Sequence, residues 1–79
     1  MDIQQIVLDF LQEKTGGADI APDTELLKSG LVNSLFALEI VVFVEKTFHL
    51  KLGRKDISPE NFSSAASITA LVERLGGQP

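Results

Sequence analysis

Residues 34–48 read Ser34-Leu35-Phe36-Ala37-Leu38-Glu39-Ile40-Val41-Val42-Phe43-Val44-Glu45-Lys46-Thr47-Phe48. This stretch decides the fold. It is too long for one strand and shows no two-residue alternation, so it reads as a helix. Asn33 precedes it and suits the N-cap, where a short side-chain oxygen accepts a backbone N–H bond. Successive residues fall about 100° apart around a helix axis. Counted from Ser34, the residues Phe36, Ala37, Ile40, Val41, Val44 and Phe48 fill an arc from about 200° to 340°, with Phe43 at its edge. That arc is a core face. Leu35, Leu38 and Val42 lie elsewhere, between about 40° and 100°, flanked by Glu45, Lys46 and Glu39. The helix therefore has a second, narrower apolar stripe edged by charge. A small bundle has few ways to bury both, and an apolar strip with a polar rim suits protein docking. Glu39 and Glu45 would then steer basic partners.

The rest of the chain supplies the walls. Ile3, Ile6, Val7, Phe10 and Leu11 recur at helical spacing after Asp2, a candidate N-cap, and Gly16-Gly17 ends that pattern. Residues 18–33 form a long connection, broken by Pro22 and Gly30. Its Ile20, Leu26, Leu27 and Leu31 are expected to pin it to the core, with Asp23 or Thr24 capping a short turn. Ser58-Pro59-Glu60 has the composition of a helix start and predicts a short helix over about 58–62. A last helix over about 65–75, capped by Ser63 or Ser64, buries Ile68, Leu71, Val72 and Leu75. The expected fold class is all-α: a four-helix bundle with helices at about 2–15, 34–48, 58–62 and 65–75 and a long first loop, all in a single domain over 1–79.

Composition excludes several functions. With 79 residues, the chain buries only roughly 60–65% of its unfolded surface, too little for a walled catalytic cleft. It has no cysteine and one histidine, which removes thiolate chemistry, disulfides and His- or Cys-rich metal sites. His49 reads as a surface or helix-end residue. No Ser/His/Asp set, phosphate loop or metal spacing is present, and Glu39 and Glu45 do not share a face closely enough for acid–base work. Met1-Asp2-Ile3-Gln4-Gln5 has no basic region leading into an apolar core and does not read as a secretory signal. A membrane span needs about 20 apolar residues, and Glu39 and Glu45 interrupt the longest apolar run. Net charge is −4, made of −6 over residues 1–45 and +2 over 46–79. The acidic half repels nucleic acid, and Lys51, Arg54 and Lys55 make too small a cluster to bind it. The expected protein is a non-catalytic cytoplasmic monomer without metal, nucleic-acid or membrane partners.

Of the serines, Ser34 stands out. It lies between the long loop and the N-terminus of the main helix, whose free N–H groups tolerate an attached anion. On position alone, an ordinary first-turn serine is the commoner meaning. The run Asp23-Thr24-Glu25-Leu26-Leu27-Lys28-Ser29-Gly30-Leu31-Val32-Asn33-Ser34-Leu35, followed by Leu38-Glu39 and Glu45-Lys46-Thr47-Phe48, resembles the acyl carrier and peptidyl carrier protein family. The resemblance covers nearly the whole chain. The family's motif is Asp-Ser-Leu; Ser34-Leu35 match it and Asn33 departs from it, removing a charge beside the site.

The resemblance implies that Ser34 receives 4'-phosphopantetheine from coenzyme A through a phosphopantetheinyl transferase and Mg²⁺. It also implies that Asn33, Leu35, Leu38, Glu39, Val42 and Glu45 face partner enzymes, those that load acyl or aminoacyl groups and those that act downstream. The cargo would ride as a thioester. The chain begins and ends near the domain boundaries, which reads as a discrete carrier. The apolar main helix and Asn33 differ from the acidic carriers of primary fatty-acid synthesis. They point to polyketide, nonribosomal peptide or similar specialised biosynthesis. The competing expectation is an unmodified helical interaction module that uses the same stripe.

Overall fold

The computed structural model describes residues 2–78. Three α-helices carry the fold: α1 (Ile3–Lys14), α2 (Ser34–Thr47) and α3 (Ala65–Arg74), with a 3₁₀ turn at Arg54–Asp56. No strand occurs among the described residues. Each helix starts on a polar cap that satisfies an otherwise orphaned N–H. Asp2 accepts from Gln4 N at 3.0 Å, Asn33 from Phe36 N at 2.8 Å, and Ser64 from Ser67 N at 3.1 Å.

α1 packs on α3, and α2 closes the third side of one continuous core. Val7 and Leu11 from α1, Ile40, Val44 and Phe48 from the α2 segment, and Ile68, Leu71 and Val72 from α3 are fully buried. This is the core face foreseen for α2; Phe36, Ala37, Val41 and Phe43 sit half-buried at its margins. The long first loop is fixed by both side chains and backbone. Ile20, Leu26 and Val32 are buried, and Leu27 and Leu31 half-buried. Leu26 N donates to Ser63 O at 2.8 Å, and Ala66 N to Pro22 O at 2.9 Å, so the loop is stitched to the start of α3. Gly30, at φ 82°, makes the turn that delivers the chain to Asn33.

Two expectations need correction. The fourth helix foreseen over 58–62 is a single turn. Ser58 behaves as a cap there, accepting from Asn61 N at 3.3 Å, and Phe62 N reaches Ser58 O at 3.2 Å. The turn cannot propagate, because Ser64 must become extended (φ −157°, ψ 167°) to cap α3 and Ser63 O is already committed to the first loop. The 3₁₀ turn lies earlier, where the Asp56 carboxylate folds back on Gly53 N at 2.9 Å. Leu75, assigned to the buried stripe of α3, is 40% exposed. It is the C-cap, and the chain departs there; Thr69 and Ala65 fill the face instead.

All three helices end the same way, with the N–H two residues beyond the cap returning to a carbonyl in the last turn. Gly17 N reaches Gln12 O, Leu50 N reaches Glu45 O, and Gly77 N reaches Val72 O. The residue just past each cap takes positive φ: Gly16 at 74°, His49 at 56° and Gly76 at 75°. Gly77 is also confined, since a Cβ there would collide with Leu50 and come within 2.8 Å of Val72. His49 alone bears the left-handed penalty of a side chain. It is exposed, so its imidazole contributes little packing in return. His49→Gly is expected to raise unfolding stability by about 0.5–1 kcal/mol in denaturant titration with an unchanged slope.

Candidate functional site

Ser34 is the first residue of α2 and is exposed. Asn33 beside it is exposed too, but its side-chain oxygen is held by Phe36 N, so it serves as the helix cap and does not point freely into solvent. Ala37 N reaches Asn33 O at 2.9 Å. The N–H groups of Ser34 and Leu35, one and two residues past the cap, have no intrahelical acceptor by helix geometry. A hydroxyl here sits at the positive end of the helix dipole, where an attached phosphodiester is favoured.

The loop flank of α2 carries a cleft of about 200 Å³ beside Ser34, lined by Leu27, Ala37, Ile57, Ser58, Pro59 and Phe62. It is apolar apart from its two serines. On the opposite flank, towards α1, lies a larger groove of about 480 Å³. Phe10 and Lys14 from α1 form one wall of it, and Leu35, Leu38, Val42 and Phe43 from α2 form the other. Leu35, Leu38 and Val42 are 71%, 60% and 49% exposed. The second stripe is thus left open, as the helical angles indicated, and α3 does not cover it.

The six residues foreseen as partner-facing do not all behave alike. Leu35, Leu38, Glu39 and Val42 come together on the open face. Glu45 does not join them. It is half-buried, and its carboxylate accepts from Leu52 N at 2.8 Å, holding the segment after α2 in place. The α1 wall of the groove does not follow from the sequence, where Phe10 shows only as part of the helical spacing of α1. Phe10 and Phe43 stack at 3.9 Å between ring centroids, 13° from parallel, and only the tertiary fold brings them together.

A short helical domain with one exposed serine at the start of an uncovered apolar helix has the architecture of a carrier. The chain is 31% identical over 77 residues to the probable acyl carrier protein PigG of Serratia sp. (strain ATCC 39006), covering 98% of this chain and 86% of that one. It is 31% identical over 70 residues to aminoacyl carrier protein 2 of Bradyrhizobium diazoefficiens, covering 89% and 78%. Among solved structures, it matches one of Bradyrhizobium japonicum glycine:[carrier protein] ligase complexed with its cognate carrier protein and an analogue of glycyl adenylate. That match has a TM-score of 0.72 at 26% identity and covers 91% of this chain and 92% of that chain. No protein-family model matches. The chain belongs to the acyl and aminoacyl carrier proteins, and its role is that of a carrier.

The cap at Asn33 sets where α2 begins and so where Ser34 stands. Asn33→Ala is expected to lower unfolding stability by about 1 kcal/mol. Asn33→Asp, which keeps the acceptor and adds a charge at the helix N-terminus, should match or exceed the parent. Chemical denaturation of the three proteins measures both.

Proposed function

We propose that this chain carries acyl or aminoacyl groups on a 4'-phosphopantetheine arm joined to the Ser34 hydroxyl. The observation that carries the reading is that Ser34 stands exposed at the N-terminus of α2, between a cleft and an open apolar face. The residues fit the group. Ser34 supplies the oxygen to be esterified. The N–H groups of the first turn suit the phosphodiester's charge. Leu27, Ala37, Ile57 and Phe62 offer an apolar wall beside it. When bound, the arm supplies a terminal thiol that holds cargo as a thioester.

The protein's own residues then perform three tasks. Asn33 fixes the start of α2, so that Ser34 meets a phosphopantetheinyl transferase in one orientation. The stitched first loop keeps the approach to Ser34 defined. Leu35, Leu38, Glu39 and Val42 form the face on which loading and downstream enzymes dock. Docking there brings a tethered cargo to each active site at high effective concentration, up to about the millimolar range for short flexible tethers. Glu45 acts indirectly, by holding the end of α2.

No bond of the cargo is made or broken by a side chain of this protein in this reading. The named relatives include both acyl and aminoacyl carriers, and the matched carrier structure was solved with an amino-acid ligase, which supports a small acyl or aminoacyl cargo. The arm is drawn from coenzyme A, an intracellular donor, which supports a cytoplasmic carrier. No helix is long and apolar enough to cross a membrane among the described residues.

Incubation with coenzyme A, Mg²⁺ and a broad-specificity transferase, followed by intact mass, tests the assignment. The parent should gain one phosphopantetheine and Ser34→Ala should gain none. Ser58→Ala, altered in the same cleft, should still be modified. An adduct that survives in Ser34→Ala, or its absence from the parent with several transferases, would contradict the reading and favour a plain interaction module.

A further inference from the structure

The groove between α1 and α2 is built differently from the rest of the surface. Its floor is rigid. Phe10 stacks on Phe43, and Phe43 meets Phe48 edge-on at 6.0 Å, so the floor is continuous with the fully buried core. Its open side is lined by Leu35, Leu38 and Val42, large apolar side chains that remain in water. Its charged lining consists of Lys14, Lys46 and Glu39, which makes it net positive in a chain of net charge −4. Lys14 extends over the Phe10 ring, its Nζ 5.9 Å from the centroid.

We infer that this groove receives an acidic, amphipathic segment of a partner enzyme: an apolar side chain seated over the Phe10–Phe43 stack, with a carboxylate beside it meeting Lys14 and Lys46. This deepens the docking role given to α2 and rests on that reading, but not on the modification of Ser34. The charge is what selects the occupant. A basic segment would bring like charge against both lysines, while an acidic one meets opposite charge at the groove's edge. The preformed aromatic floor lowers the ordering cost of binding. The volume, about 480 Å³, accommodates one large side chain and its neighbours rather than a whole domain. Weak, salt-sensitive contacts also suit a carrier that must leave each enzyme.

Two capped 14-residue peptides serve as probes, each an amphipathic helix with Leu and Phe on one face. One carries Glu along the edges of that face; the other carries Lys at the same positions. Each is titrated into the ¹⁵N-labelled full chain. The acidic peptide should shift resonances of Phe10, Lys14, Val42, Phe43 and Lys46 with a Kd of about 0.1–1 mM. The basic peptide should bind about 5–10-fold more weakly, as two exposed ion pairs imply. The difference should shrink at ~0.5 M salt. The double variant Lys14→Glu/Lys46→Glu should reverse the preference, and Leu38→Ser, at a position already exposed, should weaken both peptides.

Equal binding of the two peptides, binding of neither, or shifts confined to the cleft beside Ser34 would overturn the inference. So would shifts at the groove that depend on the protein's own concentration, which would make a second copy the occupant. Displacement of the acidic peptide by decanoate would assign the groove to an acyl chain instead and equally overturn it. The mass assay on the same parent protein separates the two proposals. Peptide binding without the arm discards Ser34 alone, and the arm without selective peptide binding discards the groove alone.

Discussion

The structure depends on burying one side of a helix that is apolar on nearly every side. Ile40, Val44 and Phe48 are fully enclosed by α1, α3 and the first loop. With only three helices, two of them short, the chain has no further element to lay over the opposite face. Leu35, Leu38 and Val42 therefore stay in water, forgoing roughly 1–2 kcal/mol of burial apiece. A domain this small has little stability to forgo. The capped helix starts, the shared C-terminal motif and the stitched loop hold the core together despite it.

That same arrangement organises function. Because α2 is held from behind, its N-terminus, its outer stripe and both flanks are presented together. Ser34 opens onto the small cleft on one flank, and the aromatic-floored groove runs along the other. In the proposed function, a group tethered at Ser34 and an enzyme docked on α2 would use the same helix without competing for the same surface. Glu45 shows how closely support and surface are interleaved. It lies at the edge of the stripe by helical angle, yet its carboxylate is used to hold Leu52 N.

Much of this was legible in the sequence, for identifiable reasons. The two faces of α2 follow from spacing alone, and Asn33 and Asp2 announce themselves as caps by type and position; for the last helix the sequence leaves Ser63 or Ser64, and the structure shows Ser64. Ser34 gained its meaning from the surrounding motif, since a first-turn serine is otherwise unremarkable. What was not legible required tertiary knowledge. The turn at Ser58–Phe62 has the composition of a helix start, but the commitments of Ser63 and Ser64 stop it after one turn. Leu75 continues the period of α3, but the helix has already closed. Val32, read as part of a connecting turn, is buried to 3% exposure, because the loop folds inward there. The groove depends on Phe10 meeting Phe43 across two helices that are 19 residues apart in the chain, from Lys14 to Ser34 by their bounds, and no local pattern reports such a pairing.

The central claim is that α2 is enclosed on one face and open on the other in solution. Paramagnetic relaxation by a neutral soluble gadolinium chelate, read at the methyl groups of α2 in dilute protein, measures this directly. Strong enhancement at Leu35, Leu38 and Val42, with little at Ile40 and Val44, is the result the structure requires. Uniform protection along the helix would contradict it, since some other part of the chain would then have to cover the face to which docking is assigned in the proposed function.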